Sequence, residues 1–285
     1  MFPFQRILYP VDFSEPCMSV VPHVQRLAMH FSATLTLLHV YEPNLQIYDE
    51  IGTVVDTSPD LLKLEVQRLK EFSAAHFPGL HTTQLVEQGE PGAVIRETVQ
   101  RNGMDLVMMS TRGRGAFRRL LLGSVTAKVL HDVSCAVWTG VHSSLSDHSS
   151  PVPYRCVLCA VGLDPETPDV LRAASALASS FDAKLHVVHC VETPPMSLEI
   201  DFAPYRQRLL DSADLELRLI LRNTGIEATL SVLEGAIDAR VRKEALDRSA
   251  DLIVTGRGHH QGKLSRMFSQ LYSIVRESPC PVLSV

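Results

Sequence analysis

The sequence predicts an α/β protein that contains two copies of one domain, each built on a parallel β-sheet with helices on both faces. Three observations support this prediction. The chain has 285 residues, whereas one domain usually takes about 100–200. Segments of the first half recur in the second half in the same order. Within each half, short apolar runs alternate with segments of helical periodicity, which is typical of parallel strands joined by right-handed crossovers.

The internal repeat covers most of the chain. The matching pairs of segments are 6–12 with 155–162, 32–43 with 182–193, 105–115 with 251–259, and 134–141 with 279–285. The offset is 150 residues from Val11 to Val161 and 145 from Cys135 to Cys280, so only a few insertions and deletions separate the copies. We therefore predict a first domain at 1–143, an exposed linker rich in serine and proline at 144–153, and a second domain at 154–285.

The elements of the first copy follow in order along the chain. Short apolar runs predict strands buried on both faces at 7–11, 35–41, 82–89, 106–110 and 136–141. Apolar residues spaced three or four apart predict helices at 17–31, 59–77, 91–102 and 124–131. Pro91 stands in the first turn of the third helix, a position that suits proline. The second copy repeats this order, with helices near 168–181, 203–223, 236–248 and 264–277.

Composition and charge exclude several classes of protein. Hydrophobic residues make up 45% and charged residues 21% of the chain, a globular composition. The net charge of −5 does not provide the broad basic field that non-specific nucleic-acid binding needs, so no nucleic-acid partner is expected. No apolar run is long enough to span a membrane, and Pro10 and Asp12 interrupt the first apolar segment before a secretory signal could form. We expect a cytoplasmic protein.

Cysteine and histidine patterns do not predict a redox or metal site. Cys156 and Cys159 have the spacing of a redox motif, but they fall inside a predicted strand, where residues three apart face opposite sides. They are expected to be buried hydrophobic residues. The histidines and cysteine that invite a metal interpretation do not converge at any known ligand spacing; they are His186, His189, Cys190, His259 and His260.

Ligands of such sheets bind beyond the carboxyl ends of the strands, and the loop after the fourth strand of the first copy carries features that suit a phosphate. Gly113 and Gly115 allow a tight turn with exposed backbone amides. Gly123 and Ser124 stand at a helix start, which favours an anion. Nearby arginines could pair with phosphate, namely Arg112, Arg114, Arg118 and Arg119. The same residues would also suit a plain loop, a helix cap and a solvated face, and the residues alone do not decide.

The segment from 110 to 124 resembles the nucleotide-binding motif of the universal stress protein family, G-x2-G-x9-G-[S/T]. Gly113, Gly123 and Ser124 match it, whereas Ser110 stands at the first glycine. The opening RILYPVDFSE, the run LLHVYEP and the ending CPVLSV also resemble strands of that family. The resemblance implies Rossmann-like, adenine nucleotide hydrolase-like domains with strand order 3-2-1-4-5. The resemblance places Asp12 against the adenosine part of ATP and the Val40 backbone against adenine. Together with the features of the loop, it leads us to predict an ATP site, with Mg²⁺ as a candidate companion ion, at Pro10, Val11, Asp12, Val40, Ser110, Arg112, Gly113, Arg114, Gly115, Gly123, Ser124 and Val125.

The second copy departs further from this pattern. Gly162 stands where the first copy has Asp12, and Phe268 stands where the motif needs a glycine against the phosphate. An aromatic ring at that position would fill or block the pocket, so we expect the second copy to bind ATP poorly or not at all. In the first copy, a Cβ atom at Ser110 is expected to weaken nucleotide binding without abolishing it.

The resemblance implies a stress-response sensor or switch that binds ATP. The loop 110–124 has no carboxylate and no lysine, and the chain has no G-x-S-x-G motif, so we predict binding rather than fast turnover. A nucleotide-free interaction scaffold is the alternative, and a slow nucleotide hydrolase is a weaker one. The stretch 42–58 is long enough to act as a lid. The resemblance also implies that the fifth strands of the two copies pair within one chain, and it leaves association into a homodimer open.

Overall fold

The structure, a computed structural model, describes residues 2–41, 47–48, 54–55, 58–113, 122–141, 153–192, 203–257 and 264–285. These residues form two compact units, most of which lie within residues 4–137 and 138–285. The units correspond to the two copies of the sequence repeat. The finer limits of the domains and of the linker, at 143 and 154, remain predictions.

The first copy has the predicted alternation of strands and helices. Its elements are β1 (Arg6–Pro10), α1 (Glu15–Phe31), β2 (Thr34–Tyr41), β3 (Ile47–Tyr48), β4 (Val54–Val55), α2 (Ser58–His76), β5 (Thr82–Gln88), α3 (Pro91–Asn102), β6 (Leu106–Met109), α4 (Ser124–Asp132) and β7 (Ala136–Thr139). The main sheet has the order β5-β2-β1-β6-β7, which confirms the predicted 3-2-1-4-5 order. β3 and β4 form a separate antiparallel pair that the sequence did not predict.

The second copy repeats this architecture. Its elements are β8 (Cys156–Ala160), α5 (Thr167–Ser180), β9 (Lys184–Val191), α6 (Ala203–Thr224), β10 (Thr229–Glu234), α7 (Ile237–Asp247), β11 (Leu252–Thr255), α8 (Leu264–Glu277) and β12 (Val282–Ser284). The strand order is β10-β9-β8-β11-β12. β8 pairs in parallel with both β9 and β11, so it holds the central place that β1 holds in the first copy.

The apolar patterns explain why these elements form. Ile7, Leu8 and Tyr9 of β1 are all 0% exposed, as expected for a strand covered by helices on both faces. The buried residues of α1 recur at helical spacing; they are Val20, Val21, Val24, Leu27 and Ala28. α1 begins two residues earlier than predicted because the Ser14 side chain accepts a hydrogen bond from Cys17 N and caps the helix.

The topology fixes where a ligand site can lie. β1 pairs in parallel with β2 on one side and with β6 on the other. Successive strands are therefore added on one side of β1 in the first half of the domain and on the other side in the second half. In open α/β sheets, ligands bind at this reversal, beyond the carboxyl ends of the strands. The residues that follow β1, β2 and β6 therefore meet at one edge of the sheet.

Candidate functional site

The turn after β1 places a carboxylate against the loop that follows β6. Asp12 Oδ1 accepts hydrogen bonds from Ser14 N at 2.9 Å and from Ser14 Oγ at 2.6 Å, which fixes the orientation of the carboxylate. The other oxygen faces Gly113, where an added Cβ atom would lie only 2.7 Å from Asp12 Oδ2. Two predicted site residues from distant parts of the sequence are thus in close contact, and the contact requires a residue without a side chain at 113.

Hydrogen bonds join the two described ends of the loop between β6 and α4. Gly123 N donates to Thr111 O at 2.9 Å, and Thr126 Oγ1 donates to Ser110 O at 3.0 Å. Ser110 Oγ donates to Arg112 O at 2.5 Å. The amide of Gly123 is therefore bonded to the preceding loop and does not serve the anion that this helix start was expected to favour.

The first turn of α4 remains suited to an anion. Gly123 is its N-cap, and no side chain caps the helix, so the amides of Ser124 and Val125 have no acceptor within the helix. Ser124 is exposed and Val125 is half-buried. The Arg112 side chain is half-buried, and it makes no ion pair within the described residues. These groups offer donors and positive charge at one end of the loop.

Three other residues of the predicted ATP site lie at the carboxyl ends of β1 and β2. Pro10 ends β1, and Val11 N donates to Leu38 O at 2.8 Å. His39 Nδ1 donates to Val11 O at 2.6 Å, so β2 holds the turn after β1 in place. Val40 is half-buried on β2.

Several predicted features lie outside the described residues. These are Arg114, Gly115, Arg118 and Arg119 in the loop, the side chain of Phe268 in the second copy, the linker residues 144–152, and most of the predicted lid at 42–58. Their roles remain predictions.

Comparison with known proteins identifies the family. A sequence model described as the universal stress protein family matches residues 3–139 and again residues 153–285. The chain belongs to the universal stress protein family. Because the two matches together cover most of the chain, it is a tandem member with two universal stress protein domains.

Individual relatives match one copy at a time. A universal stress protein from Methanocaldococcus jannaschii, MJ0531, is 27% identical over 142 residues, which cover 47% of this chain and 80% of the relative. Universal stress protein A homolog 1 from Coxiella burnetii is 30% identical over 140 residues, which cover 46% of this chain and 96% of the relative. A solved structure of a universal stress protein from Archaeoglobus fulgidus aligns with this chain at a TM-score of 0.68 and 21% identity. The alignment covers 98% of this chain and 95% of that protein, so it supports the fold of both copies.

A cluster beside the site of this universal stress protein was missed in the sequence analysis. Phe13 adopts the left-handed backbone conformation, with φ of 59°, and its ring centroid lies 4.7 Å from that of His39. The guanidinium of Arg68 lies 4.0 Å from the centre of the Phe13 ring. Glu65 lies between them, 3.3 Å from His39 Nε2 and 3.8 Å from Arg68 Nη1. Nothing in the sequence pattern connects α2 with the turn after β1, so no signal could have predicted this cluster.

The second copy has a carboxylate two residues after the position that corresponds to Asp12. Gly162 aligns with Asp12, and Asp164 aligns with Ser14. A Cβ atom added to Gly162 would lie 2.6 Å from Asp164 Oδ2. The carboxylate of Asp164 therefore occupies the space beside Gly162 that a side chain at 162 would take.

A serine, histidine and glutamate meet in the second copy, but their geometry is not that of a hydrolytic triad. His186 Nε2 lies 3.0 Å from both Ser231 Oγ and Glu244 Oε1, whereas in a triad the serine and the carboxylate contact opposite ring nitrogens. His186 Nδ1 instead contacts Thr229 Oγ1 at 2.5 Å. Burial, together with the charge of Arg248, lowers the pKa of His186. The cluster is a polar network between β9, β10 and α7.

Three further features concern the cysteines, groups of metal-binding side chains and membrane-spanning helices. Cys156 and Cys159 both lie in β8 and are free thiols. Cys159 is buried as expected, whereas Cys156, the first residue of the strand, is only half-buried. Burial raises the pKa of Cys159 to about 12, which disfavours the reactive thiolate form. Among the described residues, no three His, Cys, Asp or Glu side chains are grouped so that they could hold a metal ion. None of the helices in that part of the chain has the length and apolar character needed to cross a bilayer.

Proposed function

We propose that the first domain binds ATP and that the protein acts as an ATP-dependent switch in the stress response. The observation that carries this proposal is the contact between Gly113 and Asp12, where an added Cβ atom would lie 2.7 Å from the carboxylate. It joins the strand-end carboxylate to the glycine turn, so one ligand can reach both. Family membership and the G-x9-G-S spacing from Gly113 to Ser124 support the same assignment.

Each part of the site suits a different part of ATP. Asp12 Oδ2, whose partner oxygen is held by Ser14, can accept a hydrogen bond from the sugar. Pro10, Val11 and Val40 would border the base. The amides of Ser124 and Val125, with Gly115 in the turn, would donate to the phosphates. The guanidinium groups of Arg112 and Arg114 would neutralise phosphate charge, and Mg²⁺ would arrive with the phosphates and contact the Ser124 hydroxyl.

The chemistry of the loop favours binding over turnover. Phosphoryl transfer needs a group that positions the nucleophile, and usually a carboxylate near the metal. The segment 110–124 contains neither a carboxylate nor a lysine. ATP would therefore act by ordering the loop, and slow hydrolysis would be incidental to the switch.

Equilibrium dialysis and calorimetry with ATP and adenosine test the proposal. One ATP is expected to bind per chain. The variant Arg112→Gln should weaken ATP binding about tenfold or more, because it removes a phosphate partner, and it should leave adenosine binding unchanged. The control Arg172→Gln removes an exposed arginine of α5 that pairs with Asp169, and it should change neither affinity.

A thermal-unfolding series gives an independent measurement. ATP at a hundredfold excess over its dissociation constant should add roughly 2.7 kcal/mol of stability. No stabilisation and no bound nucleotide would argue for an interaction scaffold instead, and two bound ATP molecules per chain would contradict the assignment to the first domain alone.

A further inference from the structure

The strand ends of the second domain surround a cavity. Its volume is about 100 Å³, and it lies where β8, β9 and β11 end, the place that corresponds to the proposed ATP site of the first domain. Most of its wall is apolar; the apolar side chains include Val161, Val170, Val188, Val241, Leu271 and Ile274. Cavities that hold whole drug-sized ligands are larger, roughly 300–1,000 Å³, whereas a cavity of about 150 Å³ holds benzene. Because the cavity is also partly open to solvent, it suits one end of a single ring or a short branched chain, with the rest of the ligand at its mouth.

One side of this cavity carries a carboxylate with an unused oxygen. Asp164 Oδ1 accepts hydrogen bonds from Glu166 N at 2.9 Å and from Thr167 N at 3.0 Å. Asp164 Oδ2 lies beside the Cα of Gly162, and within the described residues no donor is bonded to it. The backbone thus fixes the carboxylate through one oxygen and leaves the other for a ligand.

Besides Asp164, the polar side chains of the cavity are an imidazole, a second carboxylate, the hydroxyls of Thr167 and Thr255 and the amide of Gln270. His189 Nδ1 donates to Val161 O at 2.9 Å, so this nitrogen is not available to a ligand. Glu166 lines the cavity near Asp164, and no lysine or arginine lines it in the described part of the chain. The carboxylate of Asp164 would repel a phosphate, whereas it would pair with a cationic donor.

We propose that the second domain binds a small primary amine with an apolar body, whose ammonium group pairs with Asp164 and whose body fills the apolar part of the cavity. An ammonium group supplies three donors and a positive charge, which match the free Asp164 oxygen. A ring or branched chain of this size matches the walls. This site is separate from the proposed ATP site and does not depend on it.

Three probes of nearly equal shape and different charge test the ligand class on the intact protein: benzylamine, benzyl alcohol and benzoate. Calorimetry or ligand-observed NMR should rank benzylamine at least tenfold tighter than benzyl alcohol, with benzoate weakest. Equal binding of the three probes, tighter binding of benzoate, or no detectable binding of benzylamine at millimolar concentration would overturn the proposal.

A matched pair of variants tests the role of the carboxylate. Asp164→Asn removes the charge and keeps an oxygen for the backbone amides of Glu166 and Thr167, so the fold should be retained, as circular dichroism would check. It should lower benzylamine affinity about tenfold and leave benzyl alcohol unchanged. Asp169→Asn removes a charge from the exposed face of α5 and should change neither affinity. Equal effects of the two variants would overturn the proposal.

Asp12→Asn locates the amine site. It alters the first domain at the corresponding strand end, and benzylamine affinity should stay the same. A loss of benzylamine binding in this variant would place the amine in the first domain and overturn the proposal.

Discussion

At the scale of single residues, the two copies place a carboxylate at the same strand end in different ways. In the first copy, Asp12 orients Ser14, and Ser14 caps α1. In the second copy, Asp164 Oδ1 accepts hydrogen bonds from the backbone amides of Glu166 and Thr167 just before α5, and Asp164 Oδ2 fills the space beside Gly162. An alignment shows only that the aspartate has become glycine. The structure shows that the negative charge is kept and that its free oxygen faces different surroundings.

A second residue-scale feature predicts how stability depends on pH. Burial, with a smaller contribution from the charge of Arg26, lowers the pKa of His23 to about 4. In the unfolded chain, the pKa of this histidine has its ordinary value of about 6.5. Between the two pKa values, the unfolded chain therefore binds a proton that the folded chain does not bind. Stability from this group is complete above pH 6.5 and is lost as the pH falls towards 4. Between pH 7.5 and pH 5 the loss is about 2 kcal/mol.

Urea unfolding at the two pH values measures this effect. His23→Gln cannot titrate, so it should lose about 2 kcal/mol less than the original protein over the same interval. His81 is exposed, and His81→Gln should keep the full pH dependence. An unchanged pH dependence in His23→Gln would show that another group is responsible.

The residues at the strand ends of the two copies show how much of each site the sequence could predict. The spacing from Gly113 to Ser124 and the position of Asp12 after a strand were visible in the sequence, and the structure brings Asp12 and Gly113 together. The role of Asp164 was not visible, because it stands two residues from the expected position. The bond from Gly123 N to Thr111 O was missed because the sequence cannot show how closely a loop approaches the helix that follows it.

At the scale of elements, the strands and long helices were predictable to within about two residues. Their apolar runs are bounded by turn-forming residues, and burial on both faces of the sheet leaves an unambiguous pattern in β1 and β6, whose core residues are fully buried. β3 and β4 have only two residues each, too few for a periodic signal. Their pairing depends on contacts between strands rather than on a local pattern.

The junction between the β6 loop and α4 gives an element-scale prediction. Gly123 has an ordinary φ of −59°, so its backbone conformation does not require glycine. A Cβ atom there would lie 3.2 Å from Thr111 O, which is closer than side chains usually approach a backbone oxygen, and 3.5 Å from Thr126 Oγ1, an ordinary contact. Gly123→Ala should therefore destabilise the protein by about 1 kcal/mol through overpacking and should weaken ATP binding.

The sign of the change in the free energy of unfolding decides this prediction. At an unstrained position with open space, glycine to alanine would stabilise the protein by about 0.4–1 kcal/mol. Stabilisation of Gly123→Ala in chemical denaturation would therefore contradict the close approach of the loop. Thr126→Val removes the bond to Ser110 O and should loosen the same junction without adding volume next to Thr111.

At the scale of the whole molecule, one fold is used twice with different chemistry at corresponding places. The family match covers both copies, and each copy has the same strand order. The first copy combines a carboxylate with a glycine turn and a half-buried arginine, which suits a nucleotide. The second combines a carboxylate with an apolar cavity, which suits an amine. On these two proposals, the copies keep one fold and bind different ligands, in line with the general rule that a fold does not fix its ligand. Pairing of the fifth strands and association into a homodimer remain predictions.

The two proposed sites consist of different residues, which predicts that their ligands bind independently. The proposed ATP residues lie before residue 126, and the cavity residues lie after residue 159, so the sites share no side chain. Coupling between two ligands requires an element whose equilibrium both ligands bias, and no residue belongs to both sites.

Calorimetric titration of benzylamine should therefore give the same dissociation constant within about twofold with and without saturating ATP. By reciprocity, ATP affinity should be equally insensitive to benzylamine. A tenfold change in either direction would correspond to about 1.4 kcal/mol of coupling and would show that the ATP switch acts on the second domain.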